Sequence, residues 1–163
     1  MKLKVDFHRD SMQGQMLPSE REIMYNTLLQ HQPKTMIEIG TWKGGGSTYF
    51  IAAAAYEYGG HLHTIELNPE FHYSAIRLFT SRMMILMPHV TFYLGKSQIV
   101  IPKIFQKLND ESEIPNESLL ELHPKIDFVL FDGAEDPDQT VLEYDLINKS
   151  LNLGSIIACH DWK

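Results

Sequence analysis

The chain has 163 residues, enough for one domain with a sizeable core and too few for two ordinary ones. At 44% hydrophobic and 21% charged it has the balance of a globular protein, and a net charge of -7 argues against non-specific nucleic-acid binding, which needs a basic face to displace counterions. The single cysteine, Cys159, excludes an intrachain disulfide and suits a reducing compartment. The opening M-K-L-K-V-D-F-H-R-D lacks the apolar run of a signal peptide. No apolar stretch approaches the roughly 20 residues that cross a bilayer. A cytoplasmic protein with no membrane and no nucleic-acid partner is the expectation.

Pro18 and a Ser19–Glu22 capping spacing predict a helix that runs to about His31 and stops before Pro33. Residues 1–34 thus form an N-terminal segment and helix, and 35–163 an α/β core. Thr35–Ile39 is a β-branched run halted by Gly40, as in a strand covered on both faces. Ser47–Tyr58 is helical and stops at Gly59-Gly60. His61–Leu67 is a second strand. Asn68 then caps a helix whose first turn holds Pro69, with Phe71, Ala75, Ile76, Phe79 and Met83 at helical spacing. Val90–Leu94 is a third strand and Gln98–Leu108 a third crossover helix. Asn109–Pro124 is acidic and polar, and reads as a loop. Ile126–Phe131 is a fourth strand, Pro137–Ser150 a helix, and Gly154–Cys159 a fifth strand. Strands alternating with helices require right-handed parallel crossovers, hence an open, doubly wound α/β sheet.

In such sheets ligands bind at the carboxyl ends of the strands. The first such end carries Glu38, Gly40, Thr41, Trp42 and then Gly44 to Gly46 before Ser47. Gly40 permits a sharp turn, the later glycines let a ligand approach the backbone, and the helix N-terminus offers free N–H groups. A tight strand-to-helix turn is the plainer reading of that loop. Glu66, at the end of the second strand, is placed to accept hydrogen bonds from ribose hydroxyls, or else is a solvated strand-end residue. The loop has neither the G-K-[ST] of a P-loop nor the G-x-G-x-x-G of a dinucleotide site. A ligand with ribose but no phosphate is therefore favoured, and an NAD-dependent oxidoreductase disfavoured.

Glu38–Thr48 (E-I-G-T-W-K-G-G-G-S-T) resembles motif I of class I S-adenosylmethionine (SAM)-dependent methyltransferases. Thr64–Pro69 (T-I-E-L-N-P) is similar to the next motif of catechol-type O-methyltransferases, and Val90–Gln98 to their adenine-binding strand and turn. Ile126–Gly133 (I-D-F-V-L-F-D-G) resembles motif IV, and Leu153–Trp162 the strand that supplies a D-N or D-D metal pair. All five stand in the family's order from Glu38 onward. The resemblance implies a Rossmann-like sheet in the order 3-2-1-4-5 and transfer of a methyl group from SAM to an oxygen of a small-molecule acceptor. It implies that Glu38, Gly40, Thr41, Trp42, Gly46 and Ser47 line the methionine end of the cofactor. Glu66 and Leu67 then hold the ribose side, Gly95, Lys96, Ser97 and Gln98 the adenine, and Asp132 and Gly133 lie near the sulfonium and substrate. Gln15 and Met16 precede the first helix, where related enzymes bring a segment over the cofactor.

The sequence departs from the family in two places. Catechol-type enzymes carry a general-base lysine three positions after the motif IV aspartate, where this chain has Glu135. The metal pair is replaced by His160 and Asp161, which with Asp132 form the candidate catalytic set. Three readings stand open for them: ligands of a divalent metal such as magnesium, an acid/base pair, or a histidine bonded to a neighbouring loop. His61 and His63 share one strand face and read as structural, and Met83, Met84 and Met87 as helix-end packing. The family's antiparallel strand pair after strand five is lacking, so the core looks C-terminally short and strand five is an exposed edge. A homodimer paired along that edge is the expectation. The rival functions are a SAM-binding protein without turnover, and methylation of nitrogen or a macromolecule, whose motif IV signature D-G-A-E-D does not resemble.

Overall fold

The computed structural model describes residues 3–8, 16–110, 125–133 and 136–160. In chain order the elements are α1 (Pro18–His31), β1 (Thr35–Ile39), α2 (Ser47–Tyr58), β2 (His61–Glu66), α3 (Pro69–Arg82), β3 (Val90–Leu94), α4 (Ser97–Asp110), β4 (Ile126–Phe131), α5 (Pro137–Ile147) and β5 (Leu151–Cys159). The five strands form one parallel sheet in the order β3-β2-β1-β4-β5, as the family resemblance implies. Among the described residues no helix is long and apolar enough to cross a membrane.

The boundaries differ from expectation where local chemistry intervenes. The cap of α1 is Leu17 rather than Ser19, and the Glu20 carboxylate accepts the Leu17 N–H at 2.7 Å. Proline at the first helical position makes that register favourable, because its missing N–H needs no partner there. Short 3₁₀ turns follow α3 (Met84–His89) and α5 (Asn148–Ser150). Met83 is buried and Met87 packs against the core, but Met84 is exposed. Strand β5 begins at Leu151, three residues early. A register irregularity lets it pair with both Ile126 and Phe128 while Gly154 sits at φ +89°.

The period of two along each strand divides the core into two halves. Met36, Leu62, Phe128 and Leu130 face α1 and α2, whereas Ile37, Ile39, Ile65, Val129 and Phe131 face α4 and α5. Four successive alanines, Ala52–Ala55, are fully buried in α2 and let it fit between the sheet and α1. Phe7 stacks on Phe50 and meets Tyr25 edge-on, holding residues 3–8 over the same helices. His61 and His63 fall on the α4 side. They bond the Thr91 hydroxyl at 2.8 Å and the Tyr93 hydroxyl at 3.1 Å, which is the structural role expected of them.

The turn after β1 is where the fold is least tolerant. Gly40 has φ +106°, and a Cβ there would lie 2.4 Å from the Asp132 carbonyl oxygen. Gly59, the C-cap of α2, has φ +77° but open space around it. Gly59→Ala should therefore cost about 1 kcal/mol, the backbone penalty alone. Gly40→Ala should cost more than about 3 kcal/mol, because two strand ends must separate. Thermal or urea unfolding of both variants checks the ranking, and equal losses would contradict it.

Candidate functional site

The polar residues singled out by the sequence converge at the carboxyl end of the sheet. The backbone ladder continues one residue past the strands there. The Gly40 N–H donates to Ile65 O at 2.9 Å, the Asp132 N–H to Ile39 O at 2.8 Å, and the His160 N–H to Phe131 O at 3.0 Å. The ends of β2, β1, β4 and β5 are thereby laced side by side, with Gly40 pressed against Asp132 and Gly133 against Ile39.

Glu38 is the deepest of these residues, with 0% exposure. It faces its register partner Thr64, whose hydroxyl donates to Oε2 at 2.6 Å. The Thr48 hydroxyl of α2 donates to the same oxygen at 2.7 Å, and Thr41 in turn bonds the Thr64 hydroxyl. Its other oxygen, Oε1, is buried and has no hydrogen-bond partner among the described residues. Burial pushes the carboxyl up to about 7, against the hydroxyl donors of Ser47, Thr64 and Thr48, with the nearby Asp132 charge adding to the rise. A buried carboxylate oxygen without a donor is an acceptor held ready for a positively charged or N–H group.

Glu66, also buried, is fixed by two backbone donors. The Trp42 N–H reaches Oε2 at 2.7 Å and the Asn68 N–H reaches Oε1 at 2.8 Å. A carboxylate has about four acceptor sites, so lone pairs remain for two hydroxyls. Trp42 adopts φ +48°, a left-handed conformation uncommon for a bulky residue. That conformation aims its N–H at Glu66 and lays its ring edge-on to Phe71, with the Lys43 ammonium 4.8 Å above the indole. Leu67 follows as an apolar surface 64% exposed. The Gly95 N–H donates to Glu66 O at 2.9 Å, so the turn carrying exposed Lys96, buried Ser97 and half-buried Gln98 stands next to the end of β2.

Asp132 and His160 meet directly: the ring Nδ1–H donates to Asp132 Oδ1 at 2.9 Å. The Ser47 hydroxyl approaches Asp132 Oδ2 at 3.5 Å, and the imidazole Nε2 faces Glu20 Oε2 at 3.4 Å. Glu20 comes from α1, and nothing in its sequence context marked it. Thr48 and Thr64 were likewise missed, although a threonine opposite a buried carboxylate was a legible signal once the register was known. Asp161, Glu135 and Gln15 lie outside the described residues, whereas Met16 is buried against α1 and α2. Asp161, the third residue of the metal reading, lies outside the described residues. Each nitrogen of the His160 ring faces a carboxylate oxygen, and among the described residues no group of three or more His, Cys, Asp or Glu is placed to hold a metal ion.

Residues 37–162 match the model of a methyltransferase domain. The chain belongs to that methyltransferase-domain family. Its fold is shared with the O-methyltransferase TomG from Streptomyces achromogenes, involved in tomaymycin synthesis and solved in complex with SAM (TM-score 0.69, 19% identity, 89% of this chain and 56% of that one). It is similar also to the O-methyltransferase from Bacillus cereus in complex with SAH, the demethylated product S-adenosylhomocysteine (TM-score 0.68, 17% identity, 90% and 58%). An SAH-bound methyltransferase from Podospora anserina matches at TM-score 0.64 and 18% identity, over 89% and 53%. The methyltransferase domain described here thus spans a little over half the length of those proteins. No curated protein sequence matches it.

The Glu38 carboxyl has a signature in stability. An acid raised from 4.5 to about 7 contributes stability that is complete below 4.5 and lost as pH climbs through 7. His63 works in the opposite sense. Burial first, then the charges of His61 and Lys107, lower it from 6.5 to about 3, so its contribution is complete above 6.5 and lost as pH falls toward 3. Between 4.5 and 6.5 the two oppose each other. Glu38→Gln should therefore give a melting temperature that rises more steeply with pH across that window than the wild type's. Parallel profiles would show that Glu38 is not raised.

Proposed function

We propose that this methyltransferase domain binds SAM and transfers its methyl group to a hydroxyl of a small-molecule acceptor. The observation that carries the reading is the unpartnered buried Oε1 of Glu38 at the foot of a glycine turn. It offers a strong acceptor to the ammonium at the methionine end of SAM. Around it, Gly40, Thr41, Gly46 and Ser47 would line the methionine portion, with the open N-terminus of α2 toward its carboxylate. Glu66 would take the ribose hydroxyls, with Leu67 beside it and Trp42 reaching from the methionine end through its N–H bond to Glu66. Gly95, Lys96, Ser97 and Gln98 would enclose the adenine, and Gly133 would lie with Asp132 near the sulfonium. The printed names of the structural neighbours, which include O-methyltransferases with SAM or SAH bound, support the same reading.

The bound cofactor would supply an electrophilic methyl group. The chain's task is to bring an acceptor oxygen into line with it and remove the proton. The Nδ1–H to Asp132 bond orients the ring and would stabilise the imidazolium, while Nε2, which faces Glu20 Oε2 at 3.4 Å, would exchange that contact for the acceptor hydroxyl as it takes the proton. Glu20, facing Nε2, would mark the side from which the acceptor hydroxyl enters. This base replaces the lysine whose place is held by Glu135, and no metal ion is needed in it. Cytoplasmic location is supported by the exposed, unbridged Cys159.

Calorimetry with SAM, SAH and NAD tests the cofactor. SAM and SAH should bind and NAD should not, and Glu66→Ala should weaken SAH by about 1–3 kcal/mol. Absence of SAM and SAH binding would overturn the proposal. His160→Ala should lower methyl transfer to a hydroxylated acceptor by roughly 10²–10⁴-fold while leaving SAH affinity unchanged. Binding without turnover across an acceptor panel would favour a cofactor-binding role instead.

A further inference from the structure

A second buried carboxylate lies between α4 and α5, outside everything the sequence motifs assign. Glu143 is 3% exposed and has no cation among its hydrogen-bond partners. Its Oε1 accepts the Ser97 hydroxyl at 2.5 Å and the Gln139 Nε2–H at 2.9 Å, and the same Gln139 amide lies 3.4 Å from the Ser97 hydroxyl. Its Oε2 is buried with no hydrogen-bond partner among the described residues. Two neutral donors on one oxygen and none on the other compensate poorly for a desolvated charge. An apolar side chain would suit an interface already built from Ile101, Ile104 and Ile147. Departures of this kind from the best packing are expected where function demands them.

Ser97 explains the demand. It is the first residue of α4, two positions after Gly95, whose N–H is bonded to the carbonyl of Glu66. The first N–H groups of a helix have no partner inside it and carry its positive end. That positive end favours the carboxylate, and the carboxylate in turn draws the serine hydroxyl away from the crevice and into the helix pair. The groups left facing the turn are backbone donors, whose positions depend on where α4 is pinned against α5.

We propose that Glu143 is a positioning residue for the adenine end of the cofactor, acting through the hydroxyl of Ser97. This rests on the cofactor reading above. The purine ring nitrogens are acceptors, and N–H donors locked by the Ser97–Glu143–Gln139 knot would meet them without the freedom of a rotating hydroxyl. Adenine recognition would thus be held from behind by α5, an element that does not itself touch the ring.

The test separates the two ends of the ligand by titrating SAH and S-ribosylhomocysteine, which lacks adenine, into the wild type, Glu143→Leu, Ser97→Ala, the double variant and Ser97→Thr. Affinity for SAH should fall about 10-fold in either single variant and no further in the double, because one knot is broken once. S-ribosylhomocysteine should bind all five alike, Ser97→Thr should keep the wild-type affinity for SAH, and Glu143→Leu should melt no lower than the wild type. Unchanged SAH affinity in both single variants would overturn the inference. So would equal weakening of the two ligands with a lower melting temperature, which is the mark of a merely structural contact. A wild type that binds no SAH removes the cofactor reading and this inference with it, whereas a wild type that binds SAH beside insensitive variants removes this inference alone.

Discussion

The carboxyl end of the sheet depends on one buried charge-bearing group, Glu38. It lies one residue before the end of the central strand, where neighbours on both sides leave no access to water, and its bonds to Thr64 and Thr48 tie that strand to β2 and to α2. A carboxyl with four good donors would be an inert rivet. This one is satisfied on one oxygen and bare on the other, and burial holds it near neutrality. Donors on one oxygen alone leave the ionised form of this carboxyl poorly compensated.

From that point the crevice is organised by short backbone bonds across neighbouring strand ends. Gly40 lies against Asp132, the Gly95 N–H is bonded to Glu66 O, and the His160 N–H is bonded to Phe131 O. Each bond fixes a loop at the point where the next side chain must project. The two glutamates that face the crevice differ accordingly. Glu66 is fully oriented by the backbone donors of Trp42 and Asn68, whereas Glu38 is oriented by side-chain hydroxyls. The opposite face is bounded by α1, whose Glu20 closes its own helix cap and also reaches His160. One carboxylate thereby joins helix termination to the geometry of the site.

Much of this was readable in the chain. Thr35–Ile39 and Ile126–Phe131 are apolar without alternation because helices cover both faces, and that pattern announces central parallel strands. Asn68-Pro69 and Asp136-Pro137 start helices by local chemistry that needs no tertiary partner, and the Asn68 and Asp136 side chains cap as such residues should. The start of α1 was misplaced by two residues because Ser19 had a cap's composition but Glu20 found the Leu17 N–H first. The early start of β5 was hidden because its pairing register is irregular, and register is a property of two strands together.

The 3-2-1-4-5 order came from the family resemblance, because other doubly wound orders obey the same crossover rule. The sequence by itself determined the element order and the crossover sense, together with the glycines and acids that stand at the carboxyl end of the sheet. Those follow from periodicity, propensity and chain connectivity, which are local or topological. Only the tertiary structure decided the partners of those acids: Thr48 and Thr64 for Glu38, Glu20 for His160, and Ser97 for Glu143. These pairs are separated by 10 to 140 residues. Their hydrogen bonds depend on positions held to a few tenths of an ångström, which spacing along a chain does not encode.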